Sequence, residues 1–231
     1  MTRIGILGGT LDPIHCGHLA AAAAARDAFG LAEVRVLPSR IPAHRAVQPL
    51  ASPFHRFAMA ALAVSDRAGL VASDDELCLD GPSYTADTLD RLHLGGLDPS
   101  QIFFITGADA FADIATWQRF PVVLDLANFV VVSRPGHRID ALPERLPDLA
   151  GRMRPVTGAV ASAAKPLIFL LQAATPEVSS TVVRDRLRRG QPITGMVPPL
   201  VETHIRQHSL YFISTGAAVD KQADQLHGQN R

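Results

Sequence analysis

Short apolar runs alternate with helical stretches along most of this 231-residue chain, and this alternation constrains its fold more than any other feature. Three of the five runs, at 3–7, 101–106 and 128–133, have the composition of strands buried on both faces of a sheet, and all five runs have the length of strands. They are RIGIL (3–7), EVRVLP (33–38), QIFFIT (101–106), NFVVVS (128–133) and PLIFLLQA (166–173). The alternation predicts an α/β fold with a single Rossmann-like, doubly wound parallel sheet, right-handed crossovers and helices on both faces.

The stretches between these strands predict helices, because their apolar residues recur at helical spacing or lie between capping and stop signals. The predicted helices cover 18–29, 53–66, 84–94, 121–127, 181–189 and 198–208. Acidic residues interrupt the run 70–79, which predicts a strand near the edge of the sheet. The poorly patterned segment 138–164 predicts a loop or a short helix. Length favours one domain over residues 1–212, followed by a polar, mobile tail over 213–231.

Composition excludes several classes of partner. The net charge is zero and the isoelectric point is about 7.1, so no electrostatic field favours nucleic acid or a membrane surface. No apolar run reaches the roughly 18 residues of a membrane span, and no signal peptide precedes the first strand. Cys16 and Cys78 give no disulfide framework. We expect a soluble cytoplasmic protein, and a homo-oligomer stays open because the sequence does not indicate an oligomeric state.

The segment GGTLDPIHCGH (8–18) links the first strand to the first helix and predicts an anion site. Gly8 and Gly9 give the backbone a path that side chains would block and let a ligand approach closely. The helix start presents unpaired N–H groups and the positive end of its dipole. His15 and His18 are three residues apart and therefore share a helix face, where they can donate to phosphate oxygens, and Thr10 adds a hydroxyl.

Two other interpretations of this segment are open. His15, Cys16 and His18 could ligate a metal, although three ligands so close in sequence rarely converge on one ion and a fourth is needed. The two histidines could also be ordinary surface side chains that are satisfied by their neighbours. Neither G-x-G-x-x-G nor G-x-x-x-x-G-K-[ST] occurs, which argues against a dinucleotide-binding Rossmann site and a P-loop.

A second polar segment, VSSTVVRDRLRRG (178–190), follows the last strong strand. Ser179 or Ser180 is a suitable N-cap for the next helix, and Arg184 lies one turn further on. Serine hydroxyls, helix amides and a guanidinium together suit a polyphosphate. Taken alone, the pattern is also that of a capped helix with solvated arginines.

The two segments together resemble the nucleotidyltransferase superfamily that has an H-x-G-H motif and a distal S-x-T-x-x-R-like motif. More narrowly, the chain is similar to the nicotinate-nucleotide adenylyltransferase family over roughly residues 3–212. Seven motifs occur in order: GGTLDPIHCGH (8–18), PSRIPAHR (38–45), SYTADTL (83–89), GADAFADIATW (107–117), SRPG (133–136), VSSTVVR (178–184) and the segment 197–211. The chain departs from the family pattern at Leu11, Arg40 and Gln118, where phenylalanine, a small polar residue and an aromatic residue are usual.

The resemblance implies adenylyl transfer from ATP to nicotinate mononucleotide, giving deamido-NAD and pyrophosphate in NAD biosynthesis. It implies that His18 stabilises charge at the α-phosphate, that His15 helps to hold the ATP phosphates, and that Arg184 holds the leaving pyrophosphate. The implied ATP-binding residues are Gly8, Gly9, Thr10, His15, His18, Gly107, Asp109, Ser180, Thr181 and Arg184. Mg²⁺ is implied as the cofactor, held mainly by phosphates and water. Asp109 would accept from the ribose hydroxyls of ATP, could alternatively cap the next short helix, or could do both.

The resemblance also implies a pocket for nicotinate mononucleotide. Its implied residues are Arg40, His44, Arg45, Ser83, Tyr84, Thr85, Trp117 and Arg134. The amides at 83–85 would bind the carboxylate, and Trp117 would form a wall for the pyridine ring, although a core position is the alternative for a lone tryptophan. Whether Arg40 faces the pocket stays open. The rival functions are a nicotinamide-preferring adenylyltransferase, pantetheine-phosphate adenylyltransferase and a nucleotide sensor without turnover.

Overall fold

The computed structural model describes residues 2–43, 49–136, 138–157 and 165–212. Seven strands form one parallel sheet in the order β3-β2-β1-β4-β5-β7-β6. They are β1 (Ile4–Gly9), β2 (Glu33–Pro38), β3 (Leu70–Ala72), β4 (Ile102–Gly107), β5 (Asn128–Val132), β6 (Met153–Pro155) and β7 (Ile168–Leu171). The predicted α/β fold with a parallel sheet is confirmed.

Eight helices cover the two faces of this sheet within the described residues. They are α1 (Cys16–Phe29), α2 (Pro53–Val64), α3 (Thr85–Leu94), α4 (Ala108–Phe111), α5 (Leu142–Arg145), α6 (Pro147–Ala150), α7 (Ser180–Arg188) and α8 (Pro199–Gln207). Apolar side chains of α1, α2, α7 and α8 pack on one face. Those of α3 to α6 pack on the other. Apolar side chains therefore shield both faces of the sheet from water, which is why the central strands are continuous apolar runs.

Three predicted elements differ from the structure. Residues 121–127 form a 3₁₀ turn over Val122–Asp125 rather than an α-helix. The run 70–79 contributes only three residues to the sheet, at the edge where it was predicted. The segment 138–164 contains, besides short helices, the strand β6, which forms the opposite edge. Its three residues carry too little apolar pattern to be recognised, since pairing with β7 defines the strand.

The order of the strands indicates where a ligand-binding site is expected. The chain leaves β1 toward β2 on one side, and β4 lies on its other side, so the strand order reverses at β1. Ligands of open α/β sheets bind at such a reversal, outside the carboxyl ends of the strands. The predicted tail, 213–231, lies outside the described residues.

Candidate active site

A cleft of about 270 Å³ lies at the carboxyl ends of β1, β4 and β5. The first turn of α1, the residues after β4 and β5, and the segment that enters α7 form its walls. The polar and charged side chains that line it include His18, Thr106, Asp109, Ser133, Arg134, Thr175, Glu177 and Ser179. The structure therefore brings His18, Asp109 and Arg134 together, although 116 residues separate His18 from Arg134 in the sequence.

The two histidines of the first turn hold each other in place. His15 is the N-cap of α1, and its backbone N–H donates to Nδ1 of His18 over 3.2 Å. Their rings stack with centroids 3.7 Å apart. Because Nδ1 of His18 accepts a hydrogen bond, the proton of the neutral ring is on Nε2. His18 thus has the tautomer that donates from Nε2, and the predicted shared face is confirmed.

His15 is buried and uncharged. Burial first, and the charge of Arg134 second, lower its pKa to about 3. Its Nδ1 atom is buried and has no hydrogen-bond partner among the described residues. His15 can therefore act on a phosphate as a neutral hydrogen-bond partner but does not add positive charge near neutral pH.

Close packing explains why a glycine, Gly17, lies between these histidines. A Cβ atom at this position would lie 3.1 Å from the His15 ring and 3.3 Å from Cγ1 of Val178. Contacts that close require the neighbours to move. The missing side chain therefore allows the start of α1 to pack against the segment that leads into α7, a role that the sequence analysis did not assign.

The two glycines at the end of β1 have different surroundings. The left-handed residue of this turn is Leu11, with φ of 49°, and neither Gly8 nor Gly9 has a positive φ. A Cβ atom on Gly8 would lie 3.3 Å from the ring of Phe104, whereas one on Gly9 would make an ordinary contact with Leu11. A side chain at Gly8 would therefore require the ring of Phe104 on β4 to shift, whereas the close approach of a ligand to these glycines stays a prediction.

A charged pair stands over Gly107 in the cleft. Nε of Arg134 lies 3.4 Å from Oδ1 of Asp109. A Cβ atom on Gly107 would overlap Asp109 Oδ1 and lie 2.6 Å from Arg134 Nε. The N-cap of α4 is Gly107 and Asp109 lies inside the helix, so the capping alternative for Asp109 is wrong. Its carboxylate faces Arg134 and the cleft instead.

Helix α7 is tied directly to the loop that precedes α1 (residues 10–15, the β1–α1 loop). Ser179 caps the helix by accepting from the amide of Val182 over 3.2 Å. The hydroxyl of Ser180 donates to the carbonyl oxygen of Pro13 over 2.9 Å. Arg184 donates from Nη1 to the carbonyl oxygen of Asp12 over 2.6 Å and from Nη2 to Oγ1 of Thr181 over 3.3 Å. The two predicted polar segments are thus in contact.

The buried carboxylate of Asp12 joins this loop to two further parts of the chain. It accepts the amides of Leu50 and Ala51 over 3.0 and 3.1 Å and the hydroxyl of Tyr211 over 2.8 Å. Burial, and then the negative charge of Asp12, raise the pKa of Tyr211 above its ordinary value. The sequence analysis gave neither residue a role, although both lie in quoted motifs.

Arg56 on α2 is a further residue that sequence reasoning missed. Its side chain is fully buried. The guanidinium donates to three backbone carbonyls, those of Thr10 over 2.7 Å, Arg40 over 2.9 Å and Ala51 over 3.2 Å. A buried arginine is costly unless its donors are satisfied, and these carbonyls satisfy them while they fix the turns after β1 and β2. Arginine at an otherwise apolar helix position was the available signal.

The residues predicted to bind the second substrate lie before α3 and after β2. The side chain of Arg40 is held by neighbouring groups. Its Nη1 atom donates to the carbonyls of Leu77 and Leu79 and lies 3.1 Å from Oδ1 of Asp80. The amide of Ser83 donates to the carbonyl of Ile41 over 2.8 Å, so the prediction that this amide is free is wrong. Helix α3 begins at Thr85, and its first-turn amides have no acceptor within the helix.

Trp117 is half-buried against the face of the sheet that α3 covers. Its ring meets those of Phe104 and Phe129 edge-on, with centroids 5.9 and 6.3 Å apart. Part of Trp117 therefore belongs to the core, as the alternative interpretation required. Its role as a wall for a pyridine ring stays a prediction.

Two expectations concern a pair of predicted substrate-binding residues and the metal-ligand interpretation of the first turn. His44 and Arg45 lie outside the described residues. Over the parts of the chain that the structure describes, His15, Cys16 and His18 do not join a further ligand in a group able to hold a metal.

None of the described helices is long and apolar enough to cross a membrane.

The chain matches the family model described as cytidylyltransferase-like over residues 6–186. A probable nicotinate-nucleotide adenylyltransferase from Roseiflexus is 41% identical over 210 residues, which cover 90% of this chain and 97% of the relative. A protein of the same description from Aeromonas hydrophila is 41% identical over 208 residues, which cover 90% of this chain and 96% of the relative.

Solved structures show the same fold. The nicotinic acid mononucleotide adenylyltransferase of Plasmodium falciparum complexed with NaAD superposes with a TM-score of 0.71 at 18% identity and covers 91% of this chain and 98% of that one. The same protein complexed with APC gives a TM-score of 0.68, with the same coverage. At this identity the likeness concerns the arrangement of the backbone.

Proposed function

This chain belongs to the cytidylyltransferase-like family and, within it, to the nicotinate-nucleotide adenylyltransferases, and we propose that its cleft transfers the adenylyl group of ATP to nicotinate mononucleotide. The observation that supports this use of the cleft most directly is the meeting of His18, the Asp109–Arg134 pair and the entry to α7 at the carboxyl ends of β1, β4 and β5.

The reaction needs no nucleophile from the protein. An oxygen of the phosphate of nicotinate mononucleotide attacks the α-phosphorus of ATP, the bond to the β-phosphate breaks, and pyrophosphate leaves as deamido-NAD forms. Both reactants are anions, so positioning and charge neutralisation account for most of the catalysis.

We assign His18 to the α-phosphate of ATP. Its ring lines the cleft, and the hydrogen bond from the His15 amide keeps the proton on Nε2. A donor fixed in this way costs no reorganisation when charge develops on the transferring phosphate. His15, neutral and stacked on His18, orients that ring and offers a further hydrogen bond to the ATP phosphates.

The entry to α7 suits the β- and γ-phosphates and the leaving pyrophosphate. The first-turn amides other than that of Val182, which donates to Ser179, and the helix dipole attract anions there. Thr181 offers its hydroxyl beside the guanidinium of Arg184. Because Ser180 donates to Pro13 and Arg184 donates to Asp12, we assign these two residues first to holding α7 against the β1–α1 loop. Contact with a phosphate would be their second role.

Mg²⁺ fits this cleft as an ion that arrives with the nucleotide. The carboxylates that line the cleft are those of Asp109 and Glu177, and Asp109 already faces Arg134. Two such groups do not form a full cage, and Mg²⁺ usually keeps several waters and binds through phosphates. When bound, the ion neutralises phosphate charge and Asp109 or Glu177 can anchor its water shell.

The acid group of the second substrate would lie at the start of α3. The unpaired amides there present donors, a carboxylate offers only acceptors, and the NH₂ of a carboxamide would leave one donor unpaired. An unpaired buried donor costs roughly 1–3 kcal/mol, and more where the lost partner was charged. We expect kcat/KM for nicotinate mononucleotide to exceed that for nicotinamide mononucleotide by about a hundredfold or more.

Pyrophosphate release with ATP, Mg²⁺ and a panel of acceptors tests this function. We expect turnover with nicotinate mononucleotide and at most weak turnover with nicotinamide mononucleotide or phosphopantetheine. Equal efficiency with the amide would favour the nicotinamide-preferring enzyme and refute the acid preference. ATP binding without any turnover would favour a nucleotide sensor.

A further inference from the structure

Three histidines meet on the surface where α2 packs against α8, and the reaction gives them no role. His55 lies in the first turn of α2, His204 lies in α8, and His208 is the C-cap of α8. We call them the histidine cluster. His204 and His208 are four residues apart and therefore lie on one side of the helix. His55 joins them from a segment 149 residues away in sequence.

The ring nitrogens of this cluster are close enough to share one ion. Nδ1 of His55 lies 3.1 Å from Nε2 of His204. One ligand nitrogen from each of the three rings falls within 4.8 Å of the others. A tetrahedral zinc ion with Zn–N bonds of about 2.0–2.1 Å needs nitrogens roughly 3.3 Å apart. The pair His55–His204 already meets this spacing, and the exposed His208 can close the remaining gap by a side-chain rotation.

The three rings of the cluster lie close to one another. Partial burial, and then His208 and His55, lower the pKa of His204. The ring centroids are 4.4 Å apart for His204 and His208 and 4.9 Å apart for His55 and His208. Three protonated imidazoles at this distance would repel one another, whereas neutral imidazole is the form that ligates metals.

A hydrogen bond between two of the rings is the simplest alternative. One N–H···N contact would account for the 3.1 Å separation of His55 and His204. It would not account for the third ring, because His208 lies close to both of the others with its ring tilted against each of them.

We propose that His55, His204 and His208 form a site for one divalent transition-metal ion of the zinc type, with water in the fourth position. Imidazole suits zinc, copper and nickel, whereas Mg²⁺ prefers oxygen ligands, so this site would be separate from the Mg²⁺ of the reaction. The ion would connect α2 to α8. It would therefore stabilise the packing behind the β1–α1 loop, because Arg56 follows His55 directly and Tyr211 follows α8 by a few residues.

Titration of the untagged, metal-free protein with Zn²⁺ tests the site. We expect one equivalent to bind in a calorimeter, and we expect Co²⁺ to give the visible absorption of a tetrahedral centre. His204→Ala and His208→Ala should each weaken Zn²⁺ binding by at least a hundredfold, because even residues that only support a ligand cost about 10–100-fold. Gln207→Ala is the matched control, since this exposed neighbour on α8 offers no ligand nitrogen.

Thermal unfolding gives a second readout that does not depend on enzymatic activity. Zn²⁺ should raise the Tm of the wild type and of Gln207→Ala and leave that of His204→Ala unchanged. His18→Ala should bind Zn²⁺ like the wild type, which separates the cluster from the histidines of the cleft. Absence of stoichiometric binding, or equal binding by wild type and His204→Ala, would overturn the proposal.

Discussion

Replacing Tyr211 by phenylalanine removes one hydroxyl from the buried contact that joins the end of the chain to the β1–α1 loop. The ring can keep its packing, so the change isolates the hydrogen bond of 2.8 Å to Asp12. A hydrogen bond to a charged group contributes about 1.5–3 kcal/mol. Asp12 retains the amides of Leu50 and Ala51, so its carboxylate is not left without donors.

We therefore expect Tyr211→Phe to lower the free energy of unfolding by about 1.5–3 kcal/mol. For a domain of about 200 residues this corresponds to a decrease in Tm of about 3–12 °C. Urea unfolding followed by circular dichroism measures the change, with the transition midpoint and the m-value compared between variants. Tyr84→Phe is the matched control, because it removes the same hydroxyl from a half-buried tyrosine.

The pH dependence of this difference has a definite sign. The pKa of Tyr211 is raised in the folded protein, so the hydroxyl stays protonated there while the unfolded chain ionises above about pH 10. Wild type therefore loses stability above that pH through this residue, and Tyr211→Phe does not. The gap between them should narrow as the pH rises past 10. A change below about 0.5 kcal/mol at neutral pH, or a gap that widens above pH 10, would refute the reasoning.

Four further changes test the cleft and its surroundings. His18→Ala should lower kcat by about a hundredfold or more with a smaller change in KM, as steady-state kinetics would show, and a normal kcat would remove His18 from the mechanism. Arg184→Lys should lower both the activity and the ATP affinity measured by calorimetry, because an ammonium lacks the guanidinium fork. Wild-type values of both would contradict this. Gly107→Ala should weaken nucleotide binding by displacing the ion pair beside it, and unchanged KM values would show that the pair is dispensable. Deletion after Phe212 should leave kcat and Tm nearly unchanged, and a large loss in either would show that the tail docks.

Much of the architecture could be predicted because a buried parallel strand has a local signal. The runs at 3–7 and 101–106 are apolar apart from their terminal residues Arg3, Gln101 and Thr106, and that composition is typical of a strand covered on both faces. Helix boundaries were predicted to within about two residues for the longer helices, because caps and glycine stops are local as well. The strand β6 was missed because its three residues owe their conformation to β7.

Some site residues could likewise be predicted from local spacing, whereas the contacts of others depend on the fold. The H-x-G-H spacing alone placed His15 and His18 on one helix face, and the stacked rings are the result. The ion pair of Arg134 with Asp109 joins the ends of two neighbouring strands, so no local pattern predicts it. For Arg40, the sequence left its direction open, and the structure directs it to carbonyls at 77 and 79.

The sequence by itself determined the alternation of elements, the glycine- and histidine-containing turn after the first strand and the family, because each depends on residue types at short and fixed spacing. Only the tertiary structure decided which distant groups share a buried environment. Asp12 accepts from Tyr211 across 199 residues, Arg56 reaches the carbonyl of Thr10 across 46, and His55 meets His204 across 149. Such contacts form because burial removes water as a partner, so each polar group must pair with whichever group the fold brings within reach.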